Sequence, residues 1–177
     1  MVDLFYGILK VETRNISNDE LISVRFNMFN ILELPIYYIN KKNDEVNIEE
    51  ILKYNFGQKK ENDNQTYDIT TICRLPKYLI IFFNRTVNNK YLDLQINYKE
   101  NIDISPYLSF KKNHDNNYKF KLYGIMHYST YNSKGGHYTA SSLHNKKWYH
   151  FNDSYVEDDF YIDKYKNEII LMYERND

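Results

Sequence analysis

Residues Tyr78-Leu-Ile-Ile-Phe-Phe83 form the most apolar run in the chain, and they follow closely on Pro76. The run is far short of the ~20 residues that a membrane-spanning helix needs. Its length and its β-branched and aromatic side chains predict a strand from Tyr78 to Arg85, buried on both faces in the core of a sheet. Whatever else the chain does, it must build a sheet around this strand.

The surrounding pattern is mostly strand as well. Leu21 to Phe26 and Ile31 to Ile36 are short and β-rich, with Pro35 near an end. Tyr91 to Tyr98 alternates, with Leu92, Leu94 and Ile96 on one side and Asp93, Gln95 and Asn97 on the other, the signature of a half-buried strand. Tyr118 to Tyr128, His137 to Leu143, Lys147 to Phe151 and Glu168 to Tyr173 are further candidates. One helix is clear, Asn47 to Phe56. Asn47 can cap it, Glu49 and Glu50 sit in its first turn, Ile48, Ile51 and Leu52 share a face, and Gly57 ends it. Three polar stretches, Asn40 to Asn47, Gln58 to Gln65 and Lys111 to Asn117, read as solvated loops rather than domain linkers. The expectation is one β-rich domain whose second half is an antiparallel meander.

Composition narrows the function classes. With 23 Lys and Arg against 24 Asp and Glu, there is no clustered basic excess of the kind phosphate backbones require, so nucleic acid is not expected as a partner. No signal sequence is read at Met1 to Gly7. The single cysteine, Cys73, excludes an internal disulfide framework and a zinc site built on paired cysteines. It fits a reducing compartment, and the expected location is intracellular, in cytoplasm or nucleus. No cofactor and no metal are expected. Asn, Lys, Ile and Tyr abound while alanine occurs once, at Ala140. We read this as codon bias, which lowers the structural meaning of Asn- and Lys-rich patches.

The chemistry concentrates in Tyr123 to Val156. Tyr123-Gly-Ile-Met-His-Tyr128 is followed by a polar loop, then Gly135-Gly-His-Tyr-Thr-Ala140, then Trp148-Tyr-His-Phe-Asn-Asp-Ser-Tyr-Val156. Adjacent glycines permit unusual backbone angles and close approach of another chain. His137 would begin a strand just after them, and a hairpin can return Asn152 to its side. A histidine oriented by a side-chain amide is the base half of a cysteine-protease triad. Taken singly, a strand histidine is more often structural, glycine pairs usually mark turns, and Trp148 and Phe151 would ordinarily be core.

Together, residues 135 to 156 resemble the histidine box of the ubiquitin-specific protease family almost position by position. That box reads Gly-Gly-His-Tyr-x-Ala, then Trp-Tyr-x-Phe-(Asp or Asn)-Asp-Ser-x-Val. Leu75-Pro-Lys-Tyr-Leu-Ile-Ile-Phe-Phe-Asn-Arg85 is similar to the family's "leucine-proline, apolar strand, arginine" segment, with Thr86 where a phenylalanine is usual. Ile102 to Leu108 and Ile169 to Arg175 are similar to its next stretch and its closing strand. Upstream, Leu4 to Gly7, Phe26 to Ile36 and the helix fit more loosely. The likeness therefore extends over essentially the whole chain.

The resemblance implies an α+β fold of the papain-like cysteine-protease class, in its thumb, palm and fingers form. Residues 1–74 would supply fingers and palm, and residues 75–177 the palm with the histidine box, without the thumb. It implies thiol-dependent hydrolysis after the C-terminal glycine of ubiquitin. His137 would be the base, Asn152 would orient it, and Asp153 would assist from the next position. Gly135 and Gly136 would line the channel for the diglycine tail, with Tyr138 beside them. The loops Lys111 to Asn117 and Ser129 to Lys134 would flank it. The family's cysteine box, Gly-Asn-x-Cys, has no counterpart: no Gly-Asn pair occurs in the chain. Cys73 enters a core strand and reads as a buried or edge thiol rather than as a nucleophile, since adjacent Arg74 would point to the opposite face of the strand and the family's nucleophile lies far upstream of this landmark. The expected partners are ubiquitin or ubiquitin-conjugated protein and a thumb-bearing N-terminal segment, and the chain alone is expected to be inactive. A non-catalytic ubiquitin-binding module is the competing reading. A β-rich structural protein with a chance motif is a third.

Overall fold

The computed structural model describes residues 2–36, 45–62, 64–87, 90–110, 118–132, 135–158 and 167–176. A short helix α1 (Val2–Phe5) leads into β1 (Gly7–Asn15), β2 (Leu21–Phe29), β3 (Leu32–Pro35) and β4 (Glu45–Asn47). Helix α2 (Ile48–Asn55) follows, then β5 (Lys59–Asn62), β6 (Thr66–Arg74) and β7 (Tyr78–Asn84). Shorter strands come next: β8 (Thr86–Val87), β9 (Lys90–Tyr91), β10 (Gln95–Asn97) and β11 (Asn101–Asp103). The long strands β12 (Lys119–Asn132), β13 (Gly135–His144) and β14 (Lys147–Asn152) precede β15 (Tyr155–Glu157) and β16 (Glu168–Arg175).

Two sheets carry the fold. One has four strands in the order β2-β1-β6-β5, and the other has eight, β15-β14-β13-β12-β16-β7-β3, with β11 also on β12. The core lies on one face of the larger sheet. Leu79, Ile81 and Phe83 of β7 point there with Leu171, Tyr173, Leu122, Ile125, Leu32 and Leu34. Helix α2 closes this side with Ile48, Ile51 and Leu52. The backbone N–H of Asn47 donates to the Glu50 carboxylate at 3.2 Å, so an otherwise unpaired N–H at the helix start has a partner. The chain stops after Phe56 because Gly57 takes φ +74 and donates its N–H to Thr70 O in the neighbouring strand.

The expectation of a strand buried on both faces is corrected here. Burial along β7 alternates, and Tyr78, Ile80 and Phe82 are only half-buried. The register Phe82↔Ile170 and Ile80↔Met172 continues this outer face onto β16, and Met126↔Ile170 carries it to β12. From there Ala140, Phe151 and Val156 extend it to the sheet edge. The residues are apolar, as a covered face requires, but α2 packs on the opposite side. Helix α1 packs against one end, where Phe5 stacks on Tyr78 at 5.4 Å.

Three further expectations change. Tyr91 to Tyr98 is not one strand: β9 ends at Tyr91 and β10 begins at Gln95. Buried Arg85 explains the break, because its Nη1 donates to the carbonyls of Leu92 at 3.3 Å and Leu94 at 2.5 Å, taking them out of any ladder. Leu94 and Ile96 are buried as expected. The polar stretch Gln58 to Gln65 contains β5, which pairs with β6, and Asn40 to Asn47 ends in β4, which pairs in parallel with β10. Lys111 to Asn117 lies outside the described residues. Among the described residues no helix is long and apolar enough to cross a membrane.

Candidate active site

The β12–β13–β14 meander builds the site. Within β13–β14 the pairing Ala140↔Phe151 and Ser141↔His150 sets the register, and one step further places Asn152 opposite Thr139. His137 lies two residues before Thr139 on the same face, since side chains alternate along a strand. His137 and Asn152 are therefore diagonal neighbours, within reach of long polar side chains. His137 Nε2 and Asn152 Oδ1 stand 2.6 Å apart. An amide oxygen only accepts, so Nε2 donates, and the pairing orients the ring with Nδ1 turned away from Asn152.

Asn152 is the last residue of β14 and is exposed. Asp153 follows in the two-residue turn to Tyr155, at φ 52, and is also exposed. The structure thus pairs the ring with Asn152 and sets Asp153 in the turn beyond it. Gly135 and Gly136 open β13 rather than forming a turn before it, and both are exposed. Space beside the α-carbon of Gly135 is open, whereas a Cβ on Gly136 would collide with the ring of Tyr128. Ser129 to Asn132, expected to be a flanking loop, instead completes β12 by pairing with Gly135 to His137. Tyr138 points to the outer face, where it packs on Tyr128 at 4.7 Å between ring centroids. Tyr91 contacts Tyr128 in turn at 5.7 Å.

Sequence reasoning missed a buried polar group deeper on the same face, with His150 next below Asn152 on β14 and Thr139 lying between Ser141 and His137 on β13. His127 Nε2 lies 3.0 Å from Ser141 Oγ, and the same oxygen lies 3.0 Å from His150 Nδ1. All three residues are at least 98% buried. Burial, with a smaller contribution from His150, pushes the His127 pKa down to about 4, so the ring is neutral. The available signal was strand parity: His150 is two residues before Asn152, and Ser141 is four after His137. Next to this group His127 pairs with buried Glu168, whose carbonyl accepts from Arg85 Nε at 3.0 Å. Cys73 stands in β6 of the four-stranded sheet and is half-buried, whereas His137 belongs to the eight-stranded one.

Comparison with known proteins finds a model of the family described as ubiquitin carboxyl-terminal hydrolase matching residues 5–173. Ubiquitin carboxyl-terminal hydrolases 9 and 10 of Arabidopsis thaliana are each 34% identical over 93 residues, covering 48% of this chain and 10% of theirs. Among solved structures, a chain of the yeast SAGA DUB module superposes with a TM-score of 0.82 at 19% identity, covering 99% of this chain and 42% of that one. A chain of the SAGA Ubp8/Sgf11/Sus1/Sgf73 DUB module bound to ubiquitin aldehyde does so with a TM-score of 0.82 at 20% identity and the same coverage. At that identity the likeness is one of fold. The chain spans 42% of the length of these solved chains and 10% of the curated relatives.

Proposed function

We propose that this chain, which belongs to the ubiquitin carboxyl-terminal hydrolase family, is the histidine-bearing part of a deubiquitinase site whose nucleophile comes from outside these 177 residues. The observation that carries the reading is the 2.6 Å pairing of His137 Nε2 with Asn152 Oδ1. It orients the ring and turns Nδ1 away from Asn152, the nitrogen that a thiol–imidazole site uses as base. Residues 1–74 correspond to fingers and palm, and residues 75–177 to the palm with its histidine box.

In this scheme His137 Nδ1 takes the proton of a thiol brought by a cysteine-bearing lobe. The thiolate attacks the carbonyl carbon of the terminal glycine of ubiquitin, giving a tetrahedral intermediate. As the carbon–nitrogen bond breaks, Nδ1–H returns the proton to the leaving amine. Water then hydrolyses the thioester, again with Nδ1 as base. Asn152 holds the ring and its tautomer through Nε2–H. An amide stabilises the imidazolium by its dipole only, and Asp153 at the adjoining turn adds a negative charge nearby. Gly135, Gly136 and Tyr138 receive the extended diglycine tail, with Gly135 giving the close approach that a side chain would obstruct.

One observation favours a second reading, a binding module without chemistry: the only cysteine, Cys73, lies in a different sheet from His137.

The test is hydrolysis of ubiquitin carrying a fluorogenic C-terminal amide. The chain alone shows no turnover, and a cysteine-bearing lobe of the family supplied in trans restores turnover that His137→Ala abolishes. Turnover by the chain alone that vanishes on Cys73→Ala would make Cys73 the nucleophile and contradict the proposal. Ubiquitin binding with no turnover in any combination would favour the module.

A further inference from the structure

We propose that the buried chain His127–Ser141–His150 is a positioning unit for the His137–Asn152 pair, fixing where those two side chains meet without touching the reacting atoms. The inference rests on the reading of His137 as the base.

The three residues come one each from β12, β13 and β14, the strands that carry Ser129, His137 and Asn152 in the upper part of the same face, with Thr139 between Ser141 and His137 on β13. That upper part is at the surface, and the hydrogen bond between His137 and Asn152 is open to competition from water. The lower group is sealed, and its bonds act in a low dielectric where losing one leaves a buried polar atom unsatisfied. The rigidity of the site therefore originates in the lower group. A one-residue slip of β14 against β13 would turn His150 to the outer face and carry Asn152 away from His137. The Ser141 hydroxyl, bonded on both sides at 3.0 Å, opposes that slip.

The bonding has a directional consequence. A serine hydroxyl has one hydrogen to donate. If it donates to His150 Nδ1, it accepts from His127 Nε2–H, and both rings carry their hydrogen on Nε2. If it donates to His127 Nε2, it accepts from His150 Nδ1–H, and both rings carry it on Nδ1. Either way the two histidines share the same tautomer. Serine is the residue that makes this work: alanine breaks the chain at its centre, and threonine keeps the hydroxyl.

Imidazole nitrogen chemical shifts of the 15N-labelled 177-residue chain test both levels at neutral pH. In the wild type His127 and His150 show one shared tautomer, and His137 shows a single tautomer with its hydrogen on Nε2. Opposite tautomers on His127 and His150 would overturn the relay, and this reading needs no variant. In Ser141→Ala the His137 Nε2–H exchanges about tenfold faster, the scale of one neutral hydrogen bond, and the ring populates both tautomers. Ser141→Thr returns it to the wild-type pattern. His150→Phe provides a second break should Ser141→Ala fail to hold its fold. An unchanged His137 in either folded variant would overturn the positioning role and leave the base assignment standing. A wild-type His137 without its hydrogen on Nε2 would instead contradict the base assignment itself.

Discussion

Gly136 lies diagonally across the β12–β13 pair from Tyr128, so close that a Cβ on Gly136 would overlap the tyrosine ring. Its neighbour Gly135 has open space at the same position. Both glycines match one motif, yet they answer to different constraints. Gly136 lets the Tyr128 ring lie against the strand, where it packs on Tyr138 at a tilt and meets Tyr91 edge-on. Gly136→Ala therefore destabilises the fold by about 2 kcal/mol through overpacking. Gly135→Ala leaves the melting temperature within a degree or so, since surface changes away from packing are small, and shows its effect on ligand instead. Thermal melts of the two variants separate them. Equal destabilisation would contradict the distinction.

Acid weakens the protein through His127. In the folded chain burial lowers its pKa from 6.5 to about 4. The unfolded chain takes up a proton near 6.5 that the folded chain refuses until about 4. The stabilisation is complete above the unfolded value and is lost as pH falls through this window, with no further change below it. The total is about 3 kcal/mol. Denaturant melts at a series of pH values measure the slope, and His127→Gln, which keeps a hydrogen-bonding partner for Ser141 and does not titrate, removes this contribution. The same slope in wild type and variant would contradict the assignment.

Much of this arrangement is legible in the sequence where local chemistry and tertiary packing agree. Helix α2 begins at its capping asparagine and ends before Gly57. The pairing of His137 with Asn152 is legible from the fifteen-residue hairpin together with the resemblance of residues 135 to 156 to the family's histidine box. The failures have a common origin in contacts that no local pattern encodes. Lys59-Lys60-Glu61-Asn62 has no apolar side chain, and it becomes a strand because β6 offers it a free edge. The alternation from Tyr91 to Tyr98 reports burial correctly but not pairing, because a guanidinium from Arg85 holds the carbonyls at Leu92 and Leu94. His127, Ser141 and His150 look like ordinary polar residues until the registers of two strand pairs stack them.

The outer face of the large sheet makes the isolated chain prone to association. Ile80, Phe82, Met126, Ile170 and Met172 are half-buried on it, and Tyr138 and Phe151 are exposed at its edge. A continuous apolar area beyond a few hundred Å² marks a missing partner. Light scattering of the purified chain shows self-association, and a family lobe that covers this face raises the melting temperature as its concentration rises. Met172→Glu, placed mid-face, reduces both effects. A monomer whose melting is indifferent to the lobe would favour an autonomous ubiquitin-binding module.

On the proposed reading, His137, Asn152 and the Gly135–Gly136 opening form a receptor for the C-terminal tail of ubiquitin. Calorimetric titration of the chain with ubiquitin, and with ubiquitin lacking its last two glycines, tests it most directly. Intact ubiquitin binds, the shortened form binds at least about tenfold more weakly, the equivalent of one well-made contact, and Gly135→Ala removes the difference between them. Equal affinity for the two forms, or no binding of either, would contradict the account.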